Sequence, residues 1–175
     1  MGSLILEDGS LVQHSNSYVD VAFADSYLGQ NWAPSLEEKE LALIQASEYL
    51  DVRWGSQFKG TPATSTQQLA LPRLLFVDGV GNLIEGFIPQ QIKKAVCLYA
   101  KEITKGTLYP DTTLLNAPIK KETSTVGPIT ESVEYGESVA SAASPWLVFP
   151  LADSLVAPFL AAPASKKNPI ARVIR

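Results

Sequence analysis

Few residues in this chain could meet to do chemistry. There is one histidine, His14, and one cysteine, Cys97. His14 falls in a turn-like stretch with no second histidine to share a metal or relay a proton. Cys97 falls inside a helical pattern without the His or Asn that activates a thiol, so it reads as a small packing residue. One cysteine forms no internal disulfide and does not make a zinc site. Glu37 and Glu38 look like paired carboxylates, but both open a helix, where negative charge complements the macrodipole. Glu38, three residues after Ser35, also completes a capping box. GVGNLIEG (residues 79–86) has glycines but no Lys-Ser/Thr pair and no preceding buried strand, so no phosphate loop is expected. Neither a nucleophile–base pair nor a metal spacing emerges. No enzymatic activity, cofactor or metal is expected.

The elements that carry these residues centre on SLEEKELALIQASEYLDVRWG, residues 35–55. Ser35 caps it, and Gly55 is positioned for a left-handed stop. Leu36, Leu43, Leu50 and Trp54 form one stripe, widened by Ala42, Ala46 and Tyr49, with Ile44 further round. Before it, Asp20 caps a helix running to about Asn31, with Ala24, Tyr27 and Leu28 on one face. After it, Pro89 opens a third helix with Ile92, Val96, Tyr99 and Ile103 as its stripe and Gly106 as its stop. Cys97 and Leu98 lie off that stripe. Leu4–Leu6 and Leu11–Val12 read as two short strands around the turn Glu7-Asp8-Gly9-Ser10. The connection 55–88 is long for a compact domain, so Leu69, Leu71 and Phe76 must pin it. Its second half, Leu74 to Ile84, reads as a small hairpin.

The chain has 175 residues, 46% hydrophobic and 18% charged, which suits one domain with a real core. It has no run long enough for a membrane span and no signal-peptide pattern, so a cytosolic origin is expected. After position 110 the texture changes. Ile119 to Tyr135 alternates around Val126-Gly127-Pro128 and reads as a β-hairpin. Ile129, Val133 and Tyr135 share one face and are candidates for contact between subunits, since an isolated hairpin is marginal in water. A small-residue linker, 136–144, leads to the apolar stretch PWLVFP and a short helix with Leu151, Leu155 and Phe159 on one face. The last eleven residues carry Lys166, Lys167, Arg172 and Arg175 and no acid. Removing these four cations from a net charge of −4 leaves −8 on residues 1–164.

The expected fold is mainly α. A compact three-helix unit with short N-terminal strands spans 1–110, a β-hairpin and linker spans 111–144, and an extended C-terminal arm spans 145–175. An apolar arm left in water is an aggregation hazard. The arm therefore reads as a docking segment that orders on contact, the alternative being that it folds back and completes its own subunit's core. Its candidate partner-docking residues are Trp146, Leu147, Phe149, Leu155, Phe159, Lys166, Lys167, Arg172 and Arg175.

Taken in order, LILEDGSLVQHSNSYVDVAFADSYL, KELALIQASEYLD, QLALPR, GFIPQQIKKAVCLYA and TVGPITESVEY resemble the small head–tail connector proteins of tailed bacteriophages. These are grouped as DnaT-like single-stranded-DNA-binding proteins. The resemblance covers most of residues 3–135. It departs at Leu71, where relatives usually carry Trp before the Pro-Arg pair. It implies a structural virion protein of the neck, assembled in the host cytoplasm. Such a protein forms a ring, twelve copies matching the portal. It meets the portal protein above and the next neck or tail-completion protein below, and it passes DNA through its bore without reading sequence. The alternative that the group name implies is a single-stranded-DNA-binding replication protein. That function needs a basic groove with stacking aromatics. The acidic body argues against it, as do Trp32, Trp54 and Trp146, which sit in periodic or apolar contexts.

Overall fold

A computed structural model describes residues 3–29, 32–106, 121–126, 129–134 and 146–161. The fold is mainly α. Its helices are α1 (Val21–Leu28), α2 (Leu36–Trp54), α3 (Gln90–Ile103) and α4 (Pro150–Val156), the last continuing as a 3-10 turn, Ala157–Phe159. Two small antiparallel ladders accompany them: β1 (Thr61–Pro62) with β2 (Arg73–Leu74), and β3 (Lys121–Val126) with β4 (Ile129–Glu134).

Helix α2 begins as its sequence dictates. The Glu38 N–H donates to Ser35 Oγ, and Glu38 Oε2 accepts from the Ser35 N–H at 2.8 Å. Its apolar face packs on α3, and Leu43, Leu50, Ala46 and Tyr49 are fully buried against Ile92, Val96 and Tyr99. Each such Leu or Ile contributes roughly 1.5–3 kcal/mol of transfer free energy. Leu36 departs from the stripe and is 62% exposed, because it stands in the first turn, ahead of the part of α2 that α3 covers. Gly55 departs too. It has right-handed angles (φ −53°, ψ −39°), so the chain winds on, and the Gln57 and Phe58 N–H groups donate to Trp54 O.

Helix α1 is capped by Asp20, which accepts from the Phe23 N–H at 2.7 Å, and it ends at Leu28 rather than near Asn31 because Gly29 turns to φ +68°. It lies against α3 on a side that the stripe alone does not reveal. That second contact is why Cys97 is fully buried although it sits off the main stripe. Pro89 is the N-cap of α3, one residue outside the helix. At the far end the Gly106 N–H donates to Glu102 O.

The two N-terminal strands do not pair with each other. Instead Leu6 bridges Ser17 in parallel, and the Glu7 carboxylate gathers the intervening turn. It accepts from the N–H groups of Gly9, Leu11 and Val12 at 2.9–3.0 Å and from the Ser15 hydroxyl. Leu11 and His14 then adopt positive φ, which an extended return strand does not allow. Gly9, at φ +112°, is pressed against Phe87. A Cβ there would lie 2.5 Å from Phe87 Cα, so no other residue fits.

The connection between α2 and α3 is pinned as expected by Leu69, Leu71 and Phe76, all buried. Its second half turns at residues 78–82, where Val77 bridges Leu83 and the Ile84 N–H donates to Phe76 O at 2.7 Å. The β1–β2 ladder was not legible in the sequence.

The largest correction concerns the arm. Residues 146–161 fold back and complete the core of their own chain. Ala152, Val156 and Phe159 are buried, and α4 packs across α3. Trp146 and Phe149 meet the Tyr49 ring edge-on at 5.7 and 6.3 Å, and Phe159 stacks on Phe76 at 5.5 Å. Leu160 bridges Phe58, and the Ala161 N–H donates to Gln57 O. The compact unit thus does not close near residue 110. It closes only with α4.

Candidate functional site

Among the described residues, no group of three or more His, Cys, Asp or Glu is placed to hold a metal. No helix there is long and apolar enough to cross a membrane. Burial pushes the Cys97 thiol up to about 12, far from a thiolate nucleophile. His14 is exposed on the rim of a cleft of about 410 Å³ lined mainly by uncharged polar residues, beside Thr64, Gln67 and Gln68.

Two buried polar clusters tie distant segments together. In one, Arg53, only 8% exposed, donates from Nη1 to Tyr49 Oη and Leu147 O and from Nη2 to Asp153 Oδ2, each at 2.7 Å. Asp153 also accepts from Tyr99 Oη at 2.6 Å and from the Phe149 N–H at 3.1 Å. Trp54 covers the guanidinium at 4.5 Å and donates its own N–H to Tyr99 Oη. In the other, Asp51 accepts from Tyr18 Oη at 2.6 Å and from the Ala70 N–H at 2.8 Å, while Tyr18 Oη accepts from the Leu71 N–H. Burial raises the Asp51 carboxyl to about 6, against these hydrogen bonds and the nearby Arg73, which pull it down. The polar groups of both clusters are satisfied within the fold. They are clasps, not reaction centres.

The arm residues expected to dock elsewhere are therefore mostly engaged at home. Phe159 is core, Trp146, Phe149 and Leu155 pack on it, and Leu147 lends its carbonyl to Arg53 while its side chain stays 39% exposed. Ile129 and Val133 lie on β4, paired in register with Val126 and Glu122. Tyr135, Lys166, Lys167, Arg172 and Arg175 lie outside the described residues.

The cations sort the surface. Arg53 is buried, Lys59 Nζ donates to the carbonyls of Asp78 and Pro158, and Arg73 donates to those of Gly55, Lys59 and Gly60. Apart from Lys121 on the hairpin, the remaining described cations are Lys39, Lys93, Lys94, Lys101 and Lys105. Lys39 lies at the start of α2, Lys93, Lys94 and Lys101 lie on α3, and Lys105 lies just beyond its end. Three of them lie over aromatic rings that follow one another in sequence: Lys93 on Phe23 at 6.0 Å, Lys94 on Tyr27 at 5.6 Å and Lys39 on Trp32 at 5.4 Å. Significant cation–aromatic pairs occur about once per 70–80 residues, so three along one short segment are a concentration. Among the described residues, Lys93, Lys94 and Lys101 form no ion pair, whereas Lys39 is held by Asp25 and Lys105 by Glu102. Tyr27 is 37% exposed and has ring surface to offer, whereas Trp32 is nearly covered. Beside this face, a cleft of about 590 Å³ opens between the start of α2 and the end of α3.

Sequence reasoning missed this face. The α3 part was readable, since Lys94, Lys101 and Lys105 recur at helical spacing on the side opposite the apolar stripe. The aromatic part was not, because only packing brings α1 against them.

Cations interleaved with aromatics are the surface that single-stranded nucleic acid uses. A family model described as "Putative DnaT-like ssDNA binding protein" matches residues 2–175. The chain belongs to that family. The match to the DnaT-like family covers the arm and the hairpin together with the helices, so they form one family unit in sequence. The family's description names DNA binding and says nothing of a portal, a ring or a tail. Comparison with curated proteins gives no match, and comparison with solved structures gives none.

Proposed function

We propose that this protein binds single-stranded DNA without reading its sequence, through the α1–α3 face, and is not an enzyme. The observation that carries the reading is the gathering of Lys39, Lys93, Lys94, Lys101 and Lys105 around Phe23, Tyr27 and Trp32 in an otherwise acidic chain. The family description points the same way. The negative charge elsewhere opposes phosphate, so the affinity is modest and steeply salt-dependent. With the three unpaired lysines as phosphate contacts, the log–log slope against salt is roughly −2. Fluorescence anisotropy of a labelled oligothymidylate across a salt series tests this. Lys93→Glu with Lys94→Glu should weaken binding at least about ten-fold. A protein that binds no oligonucleotide at low salt overturns the proposal.

A second reading is a neck adaptor that joins portal and tail as a homo-oligomeric ring. It is supported by the order of the motifs and by one specific feature. Leu74, Leu75, Val80, Leu83 and Phe87 are each more than half exposed in the connection before α3, a surface suited to assembly. Negative-stain images and sedimentation of the purified chain discriminate. Rings that bind no oligonucleotide favour the adaptor. Monomers that bind oligonucleotide favour the first reading.

A further inference from the structure

The cleft between the start of α2 and the end of α3 has a more particular use than a charged face requires. Its apolar lining comes from Leu41, Ala42 and Ile103, and Lys101 and Lys105 line it as well. Trp32 walls one side. The ring is fixed by its N–H, which donates to Thr104 Oγ1 at 3.3 Å, and by Lys39 above it. The volume, about 590 Å³, lies in the range of sites for small planar ligands. Lys101 has no ion-pair partner among the described residues. Among the described residues Lys105 is paired with Glu102 alone, across an exposed i,i+3 contact, which a phosphate can displace at little cost. Glu38 also lines the cleft. Its carboxylate accepts from the Ser35 N–H and hydroxyl, and these bonds hold its pKa below the ordinary value, so it stays charged. A phosphate must therefore lie on the α3 side, away from Glu38, which leaves the apolar lining for the attached ring.

We propose that this cleft takes one unstacked base of a bound strand, with the adjoining phosphate on Lys101 and Lys105. This deepens the single-stranded-DNA reading and rests on it. The pocket makes affinity depend on a base, whereas a charged face alone depends on phosphates.

The test compares a labelled oligothymidylate with an abasic oligonucleotide of the same length, by anisotropy at low salt. The pocket predicts that the base-bearing strand binds about five- to ten-fold tighter, the scale of one stacked base. Leu41→Trp, at a 42% exposed position, fills the cleft and should abolish that preference, bringing the base-bearing strand down to the affinity of the abasic one. Gln45→Trp, also exposed and lining the cleft, is the second variant should Leu41→Trp lose helical signal. Equal affinity of wild type for both strands overturns the pocket and leaves the DNA-binding reading standing. Binding of neither strand overturns both. A preference that survives in the folded filled variant overturns the pocket alone.

Discussion

Replacing Asp153 by Ala isolates what holds α4 in place. The carboxylate accepts three hydrogen bonds, from Arg53 Nη2 at 2.7 Å, Tyr99 Oη at 2.6 Å and the Phe149 N–H at 3.1 Å. The Arg53 side chain is 7% exposed and that of Asp153 16%, so solvent hardly screens the pair. Without Asp153 the guanidinium keeps Tyr49 Oη and Leu147 O but loses its only counter-charge among the described residues. An uncompensated buried charge costs about 3–5 kcal/mol. That is a large part of the roughly 5–15 kcal/mol that holds a typical domain. With a urea slope of about 2 kcal/mol/M, the midpoint should fall by about 1.5–2.5 M. Urea titration followed by circular dichroism reads this directly. Arg53→Met combined with Asp153→Leu should recover most of the loss, because an apolar pair of similar volume removes both charges. A loss below about 1 kcal/mol for Asp153→Ala would refute the reasoning, since the clasp would then not be holding α4 on the core.

Other consequences can be measured separately. Leu50→Ala, at a fully buried position between α2 and α3, should cost about 2–5 kcal/mol in the same titration. Truncation after Ala143 removes Ala152, Val156 and Phe159 from the core and should abolish a cooperative thermal transition. Asp51 titrates near 6 when folded and near 3.8 when unfolded, so between these values the folded state holds the extra proton. Stability should therefore rise as pH falls from about 6 to 4, by up to about 3 kcal/mol, and Asp51→Asn should flatten that slope. Cys97 should resist thiol reagents in the native protein and react stoichiometrically in denaturant, as its burial and raised pKa require.

Local signals in the sequence were reliable where the deciding contacts were local. The Ser35–Glu38 capping box, the α2–α3 stripes and the pins at Leu69, Leu71 and Phe76 each rest on spacing within one segment. The arm was misread because apolar composition says that a segment must be buried, not where. The residues that decide its place, Arg53 and Asp153, are a hundred positions apart and individually unremarkable. The N-terminal turn was misread for a similar reason. An alternating pattern favoured two strands, but one buried carboxylate, Glu7, satisfied the backbone donors first. On the candidate face, the lysines of α3 were visible as a stripe, while Phe23 and Tyr27 gained meaning only once α1 was laid beside them.

The clasp between Arg53 and Asp153 also sets an order of events while the chain is being made. Helices α2 and α3 leave the ribosome with the surface around Tyr49 and Tyr99 still open. The residues that cover it follow about 50 positions behind the end of α3. At about 5–20 residues per second, that surface waits roughly 2–10 s for its lid. For that interval a nascent chain displays an aromatic groove that the finished protein never shows. A helix from a neighbouring nascent chain can occupy it, which gives an exchanged pair, and so can a chaperone. The yield of correctly folded chain from a crowded polysome thus depends on how fast residues 104–161 arrive.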